Sequence, residues 1–371
     1  MSSLAEIFRR YGADYLMRYS NSMLPGHRQA MRDILLCRTE QLGGHTFYCE
    51  DCQTYHYSYH SCRNRHCPQC QNEKAELWLA QQMDKLLPVE YFMATFTLPE
   101  ALRHTARSYQ KEVYHLFFQA SAESLQTLAD DPRFLGGELG MVGVLQTWSR
   151  TLIFHPHIHY LIPGIGISGE LLRFAQEGFL MHTKPLSQIF RAKFRDALKR
   201  CGLYEEVSET VWQQEWVVHI QSVGKGQAAL KYLATYLYRV AISNNNILSC
   251  ENGEVCFRYK DSHSNASKIM TLPAAEFIRR FLQHVLPKGF QKVRHYGFLA
   301  TQKRNLLDLI RLLLYARGTP QKTATPQEYV YNCPNCGKPM SLIKRGSRKR
   351  APPLAEILQG KSVQQSLFNQ S

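Results

Sequence analysis

Apolar residues recur at helical spacing through LAEIFRRYGADYLMRY and, after a Pro25-Gly26 break, through HRQAMRDILLCR, which predicts two helices within residues 1–40. From Gly43 to Gln71 the periodicity is lost and Cys, His and Tyr dominate. It resumes in NEKAELWLAQQMDKLL, a helix expected to stop before Pro88. YFMATFTLP reads as a strand, followed by one long helix from about Pro99 to Asp130. MVGVLQTW and LIFHPHIHYLIPG read as two strands joined by a short turn, residues 186–201 as a helix, and EWVVHIQSV as another strand. GQAALKYLATYLYRVAI is predicted helical and EVCFRYKD extended; PAAEFIRRFLQHVLP is predicted as a helix with Phe277, Phe281, Leu282 and Val285 on one side, and RHYGFLA leads into a last helix, RNLLDLIRLLLYAR. No internal repeat is present. Strands that alternate irregularly with helices predict an α+β fold on an antiparallel sheet.

The chain's 371 residues suggest two or three domains, and 44% hydrophobic with 11% aromatic residues indicates a folded protein. Lys and Arg number 45 against 30 Asp and Glu, and the resulting charge of +15 points to a polyanion: nucleic acid first, an anionic membrane surface second. No apolar run approaches the roughly 18 residues of a membrane span, and Glu6, Arg9 and Arg10 interrupt any signal sequence, so a cytosolic, nucleoid-associated location is expected. Six of 11 cysteines fall between Cys37 and Cys70, a crowding that in a reducing compartment means metal rather than disulfides.

The segment CEDCQTYHYSYHSCRNRHCPQC holds two C-x-x-C pairs, Cys49/Cys52 and Cys67/Cys70, fourteen residues apart. Such pairs can close tetrahedrally on one structural Zn²⁺, and these four are the expected ligands. Cys37, His45, His56, His60, Cys62 and His66 lie nearby; a second zinc site from some of them would draw first on Cys62 and His66. Arg63 and Arg65 among tyrosines suit a DNA strand, held by charge and stacking. Further on, Cys333-Pro-Asn-Cys336 is either half of a ribbon completed elsewhere or a remnant.

His155, His157 and His159 alternate on a predicted strand and so share one face, where they can meet a metal ion; the alternative is a set of partly buried polar histidines. Tyr232 and Tyr236 stand one helical turn apart, a spacing that packing alone also produces. The two motifs together make chemical sense. A phenol with a pKa near 10 is a poor nucleophile at neutral pH unless the phosphate it attacks is polarised, and a divalent ion beside it would do that.

Several ordered strings (SCRNRHCPQC, ATFTLP, QTWSRTLIFHPHIHYLIPG, YLATYLYRVAISN, FRYKD and FIRRFLQHVLPKGFQKVRHYGFLA) resemble the transposases of the insertion sequence 91 family, including the ISCR-like elements. These belong to the HUH (His-hydrophobic-His) nucleases, alongside rolling-circle initiators and relaxases. The resemblance spans most of the chain. It implies an antiparallel sheet of four or five strands with helices packed on it, a small zinc-binding domain in front, and the histidines on a central strand. His157 and His159 would be metal ligands for Mg²⁺ or Mn²⁺, with Gln146 as the third and His155 as its competitor. Tyr232 and Tyr236 would be the nucleophile pair, Tyr236 the more essential because Arg239 follows it by three. Lys225, between two glycines ahead of the tyrosines, is a candidate phosphate contact, although a short Gly loop is commonly just a turn.

The expected organisation is 1–88 for the N-terminal helices and zinc domain, 89–315 for the nuclease, and 316–371 for a basic, partly disordered tail. The expected activity is rolling-circle transposition on single-stranded or hairpin-bearing element ends through a 5′-phosphotyrosine. The alternatives are a replication initiator of the same nuclease class, a zinc-dependent DNA-binding protein that cannot cut, and a zinc hydrolase on the three histidines, which would lack an obvious general base.

Overall fold

The structure is a computed structural model that describes residues 2–70, 86–225, 228, 231, 240–261, 264–315 and 330–359. Its strands are β1 (Gly44–Cys49), β2 (Thr54–Tyr59), β3 (Glu90–Thr97), β4 (Glu138–Leu139), β5 (Met141–Trp148), β6 (Phe154–Pro163), β7 (Ile165–Ser168), β8 (Leu171–Phe174), β9 (Val218–Lys225), β10 (Ile247–Glu251), β11 (Glu254–Lys260), β12 (Ser267–Pro273), β13 (Val293–Tyr296) and β14 (Ser341–Gly346). The protein is α+β, and every strand pairing among the described residues is antiparallel.

A five-stranded sheet in the order β13-β5-β6-β3-β9 forms the centre, with the histidine strand β6 in the middle. One face carries the main core. Phe92, Ala94 and Phe96 of β3 and Ile158, Tyr160 and Ile162 of β6 are buried with Phe117, Phe118 and Leu125 of the helix Gln110–Ala129 and Phe190 and Phe194 of the helix Thr183–Arg200. The Tyr160 hydroxyl donates to the Phe118 carbonyl at 3.2 Å and lies 2.8 Å from Ser121 Oγ, so this polar group carried into the layer is satisfied. The opposite face is divided. Tyr91, Met93, Val144 and Leu161 are covered by Phe298 and by Ile310 and Leu314 of the helix Arg304–Tyr315. Beyond them the same face turns polar, with Thr95, Thr97, Gln146, His157 and His159. The strand alternation of period two thus sets where the core ends and the site begins.

A second core joins segments far apart in sequence. The helices Leu4–Tyr19 and Pro25–Leu36 pack Phe8, Met31 and Leu35 with Val255 and Phe257 of β11, with Phe277 and Phe281 of the helix Ala274–Leu282, and with Leu354 and Ile357 of the helix Leu354–Leu358. Packing therefore cuts across the domain limits expected from sequence. Residues 330–359, expected as part of a basic, partly disordered tail, give the N-terminal module a strand and a helix: β14 pairs with β1 in a sheet ordered β14-β1-β2.

The long helix expected over 99–130 is broken, because Tyr109 (φ −121°, ψ 52°) separates the helix Arg103–Ser108 from the next one. The helices expected over 72–87 and 226–242 fall largely outside the described residues. Among the described residues, no helix is long and apolar enough to cross a membrane.

Gly297 joins β13 to the covering Phe298 at φ 58°, and a Cβ there would overlap the Leu139 carbonyl oxygen. Gly297→Ala is expected to destabilise the protein by about 2 kcal/mol or more, combining left-handed strain with a clash. Denaturant unfolding of the variant checks this.

Candidate functional site

His157 and His159 enter one cleft from the polar half of the sheet, whose lining also includes Gln146, His155, Arg150 and Asp261. Register explains the convergence: His157 lies between Gln146 on β5 and Thr97 on β3, and His159 between Val144 and Thr95. The His157 and His159 rings are 4.9 Å apart between centroids and nearly perpendicular at 86°.

Hydrogen bonds set the tautomers. His157 Nδ1 lies 2.7 Å from the His155 carbonyl, which only accepts, so the proton is on Nδ1 and Nε2 carries the lone pair. His159 Nδ1 lies 2.9 Å from Thr95 Oγ1, which can hold that ring in the same way. His155 is arranged oppositely: its Nδ1 accepts from Arg103 Nη2 at 3.3 Å, which places any proton of the neutral ring on Nε2. Burial, and then the Arg103 charge, hold the His155 imidazole below its ordinary pKa.

Two imidazole nitrogens with an amide oxygen beside them form a donor set that suits Mn²⁺ or Mg²⁺ with water completing the shell. Sequence reasoning missed Asp261, the one carboxylate among the described lining residues. It lies just past β11, where Arg150 Nη1 donates to the carbonyls of Lys260 (3.2 Å) and Asp261 (2.8 Å). Only a contact across the fold could have revealed it.

From this cleft a longer groove runs on. The two share Trp148, Ser149, Arg150, Tyr259 and Lys260, and the groove continues past Arg258 to Pro68 and Gln69. Those last two residues lie in the Cys67–Cys70 turn, so the groove joins the histidines to the cysteine module.

The cysteines group differently from the expectation. Cys49, Cys52, Cys67 and Cys70 do not form one site. Cys67 and Cys70 join Cys37 and Cys62, whereas Cys49 and Cys52 join Cys333 and Cys336; within each group the sulfurs lie within 4.8 Å of one another. In the first group Cys70 Sγ is 3.5 Å from both Cys37 Sγ and Cys62 Sγ. A tetrahedron with Zn–S bonds of about 2.3 Å has edges of about 3.8 Å, whereas a disulfide would need about 2.05 Å, so the spacing fits a shared ion.

Cys37 caps the end of the helix Pro25–Leu36, and a φ of 57° at Arg38 turns the chain away from it. Arg63 has φ 58° just after Cys62, and its N–H donates to Cys70 Sγ. Proton sharing, with Cys37 first, pushes the Cys70 thiol down, while the contact with Cys37 raises Cys62 and Cys67. Four close thiols cannot all ionise without a cation among them.

Two other expectations change. His66 joins neither cysteine group: it is half-buried and accepts from the Leu286 N–H at 3.3 Å, and desolvation keeps its pKa well below the ordinary value. Arg65 does not face a DNA strand; its guanidinium donates to the carbonyls of Phe290 and, at 2.8 Å, Pro287, fastening the module to the loop before β13. Arg63 is exposed. Lys225 is exposed at the end of β9 opposite Glu90, seven residues along β3 from Thr97 and hence about 23 Å from the cleft end of the sheet. Tyr232, Tyr236 and Arg239 lie outside the described residues.

Comparison with known proteins gives two family matches. Residues 7–98 match a transposase zinc-binding domain, and residues 140–306 match a putative transposase family. The chain is 39% identical over 350 residues to the putative transposase y4qJ of Sinorhizobium fredii (strain NBRC 101917 / NGR234), covering 88% of each chain. It is also 26% identical over 295 residues to the transposase for insertion sequence element IS801 of Pseudomonas savastanoi pv. phaseolicola, covering 74% of this chain and 70% of the relative. The chain belongs to the insertion sequence 91 family of transposases.

No solved structure matches it. The first family match contains the whole Cys37, Cys62, Cys67 and Cys70 group, which supports a structural zinc there, and the second contains β5, β6 and the cleft; Cys333 and Cys336 lie outside both. As a transposase of this family the protein acts on DNA, in keeping with its charge of +15.

Proposed function

We propose that this family member cleaves and rejoins single-stranded DNA at its element ends by a rolling-circle route through a 5′-phosphotyrosine. The observation that carries the reading is the pair of imidazoles, His157 and His159, held in fixed orientation where the sheet face turns from apolar to polar.

In this reading His157 Nε2, His159 Nε2 and the Gln146 side-chain oxygen hold a divalent ion. Gln146 is favoured over His155 because Arg103 already occupies His155 Nδ1. The ion supplies charge neutralisation and alignment at the scissile phosphate. Lys260 and Arg150, shared between cleft and groove, lie where the flanking phosphates would pass.

Tyr236 or Tyr232 Oη attacks phosphorus as it loses its proton. The P–O3′ bond breaks, and the leaving oxygen takes up a proton as a free 3′-OH. The number of phosphoester bonds is unchanged, so a 3′-OH or the second tyrosine can reverse the step elsewhere.

The test is cleavage of end-labelled oligonucleotides carrying the element ends, as single strands and as duplexes, with Mg²⁺ or Mn²⁺. The account expects metal-dependent cutting of the single strand. Equal cutting of both forms, or cutting that persists in Tyr232→Phe/Tyr236→Phe, contradicts it.

Binding should weaken steeply with salt, by about a few hundredfold between 50 and 200 mM, if six or so phosphates are contacted. A flat profile in a filter-binding titration would remove the electrostatic part of the account. Thr95→Val should keep the fold but free the His159 ring, raising the Mn²⁺ concentration for half-maximal cleavage by about ten- to a hundredfold. Metal titration of the variant reads this directly.

A further inference from the structure

The C-terminal pair Cys333 and Cys336 lies in a tight hairpin. Cys333 N–H donates to the Lys338 carbonyl at 2.7 Å, Gly337 N–H to the Cys333 carbonyl at 2.8 Å, and Met340 N–H to the Tyr331 carbonyl at 2.9 Å. This hairpin sits against the β1–β2 turn at the other end of the chain. Cys49 Sγ is 3.6 Å from Cys336 Sγ, and Cys333 Sγ is 4.0 Å from Cys52 Sγ. These distances bracket the edge of about 3.8 Å expected for a zinc tetrathiolate.

The two turns match in backbone as well. Gln53, directly after Cys52, has φ 52°, and Gly337, directly after Cys336, has φ 76°. Of the six described non-glycine residues with positive φ, three (Arg38, Gln53 and Arg63) directly follow a clustered cysteine. A left-handed residue there costs on the order of 1 kcal/mol and persists only where its surroundings require it. Here it wraps the chain round the sulfur. Backbone N–H groups of Cys336 and Asn335 donate to Cys333 Sγ, and that of Cys52 to Cys49 Sγ, as thiolates need.

The β14–β1 ladder and the packing of Leu354 and Ile357 hold the rest of the segment, but apolar burial at the hairpin itself is small. Its buried set is Cys49, Cys333 and Met340, supplemented by a Phe47–Tyr331 stack at 4.3 Å and an exposed Lys338–Asp51 ion pair. A core of that size does not fasten a segment by itself.

We propose that Cys49, Cys52, Cys333 and Cys336 form a second structural zinc site that clasps the C-terminal segment onto the N-terminal module. Closure of the clasp brings β14 alongside β1 and so sets Lys344 in one row with Thr46 and Tyr57 of the module sheet. The site is separate from the Cys37, Cys62, Cys67 and Cys70 group and from the histidine cleft, so it stands whether or not the strand chemistry above is right.

The test is zinc content of the purified full chain, measured with protein concentration by amino-acid analysis. The account expects two zinc ions per chain, one for each cysteine group, falling to one in Cys333→Ser/Cys336→Ser. One zinc in the wild type, with the same one retained in the double variant, overturns the proposal. Should the variant fail to fold, alkylation of the zinc-loaded wild type decides, with exposed Cys201 as the internal reference. Cys336, which is exposed too, should react far more slowly than Cys201 until a chelator removes the metal. Equal rates before chelation, or a Cys49–Cys336 disulfide found under non-reducing digestion, sink the clasp.

Discussion

Replacing His157 with alanine is expected to lower metal-dependent strand cleavage by about a thousandfold while the protein stays folded. The magnitude follows from the several kcal/mol that a correctly held divalent ion contributes at a phosphate, at about 1.4 kcal/mol per tenfold in rate. The fold should survive because His157 is only partly buried and lies on the polar half of its face; the apolar face of β6 carries the core contacts through Ile158, Tyr160 and Ile162. Loss of cleavage with unchanged circular dichroism and unchanged single-strand binding would place the defect in the chemistry. Unimpaired cleavage would remove the histidines from the mechanism.

The second large effect concerns the first cysteine group. Cys62→Ser/Cys70→Ser should unfold the N-terminal module rather than weaken it. Structural zinc contributes on the order of 10 kcal/mol to folding a small module, comparable with the whole net stability of a typical domain of about 5–15 kcal/mol. The damage should spread beyond the module, because its helices share one core with β11 and the helix Ala274–Leu282. It should also loosen the groove wall at Pro68 and Gln69. Loss of bound zinc together with cooperative loss of thermal unfolding is the expected readout. A variant that keeps the wild-type melting temperature would show that the four cysteines do not hold the fold.

The parts of this architecture that were legible in sequence are those with local periodicity. ATFTLP, MVGVLQTW and LIFHPHIHYLIPG are short runs of β-branched, aromatic and apolar residues, with the three histidines alternating in the last, and they form three adjacent strands of the central sheet with the histidines on its middle strand. The cysteine partners were not legible, because proximity in sequence misled. Cys67 and Cys70 stand close in sequence to Cys49 and Cys52, but a metal site selects by spatial approach. Cys37 joins the first group where its helix ends beside the Cys67–Cys70 turn, and Cys333 and Cys336 meet Cys49 and Cys52 on the same side of the fold where β14 pairs with β1.

β14 itself gave no signal, since all six of its residues are exposed and no buried face imprints an alternation on SLIKRG. Arg65 and His66 differ from expectation for a related reason: a basic or imidazole side chain in a Cys-rich stretch has the same letter whether it meets DNA, zinc or the backbone of a neighbouring loop.

The most direct test of the central claim is covalent trapping on a denaturing gel. The protein would be incubated with Mn²⁺ and single-stranded oligonucleotides that carry the element ends, labelled at either the 5′ or the 3′ terminus. The account predicts a protein-linked product that carries only the 3′-side label, appears only with metal, and is lost in Tyr232→Phe/Tyr236→Phe. Cleavage without any protein-linked product, or a product that carries the 5′-side label, would contradict it.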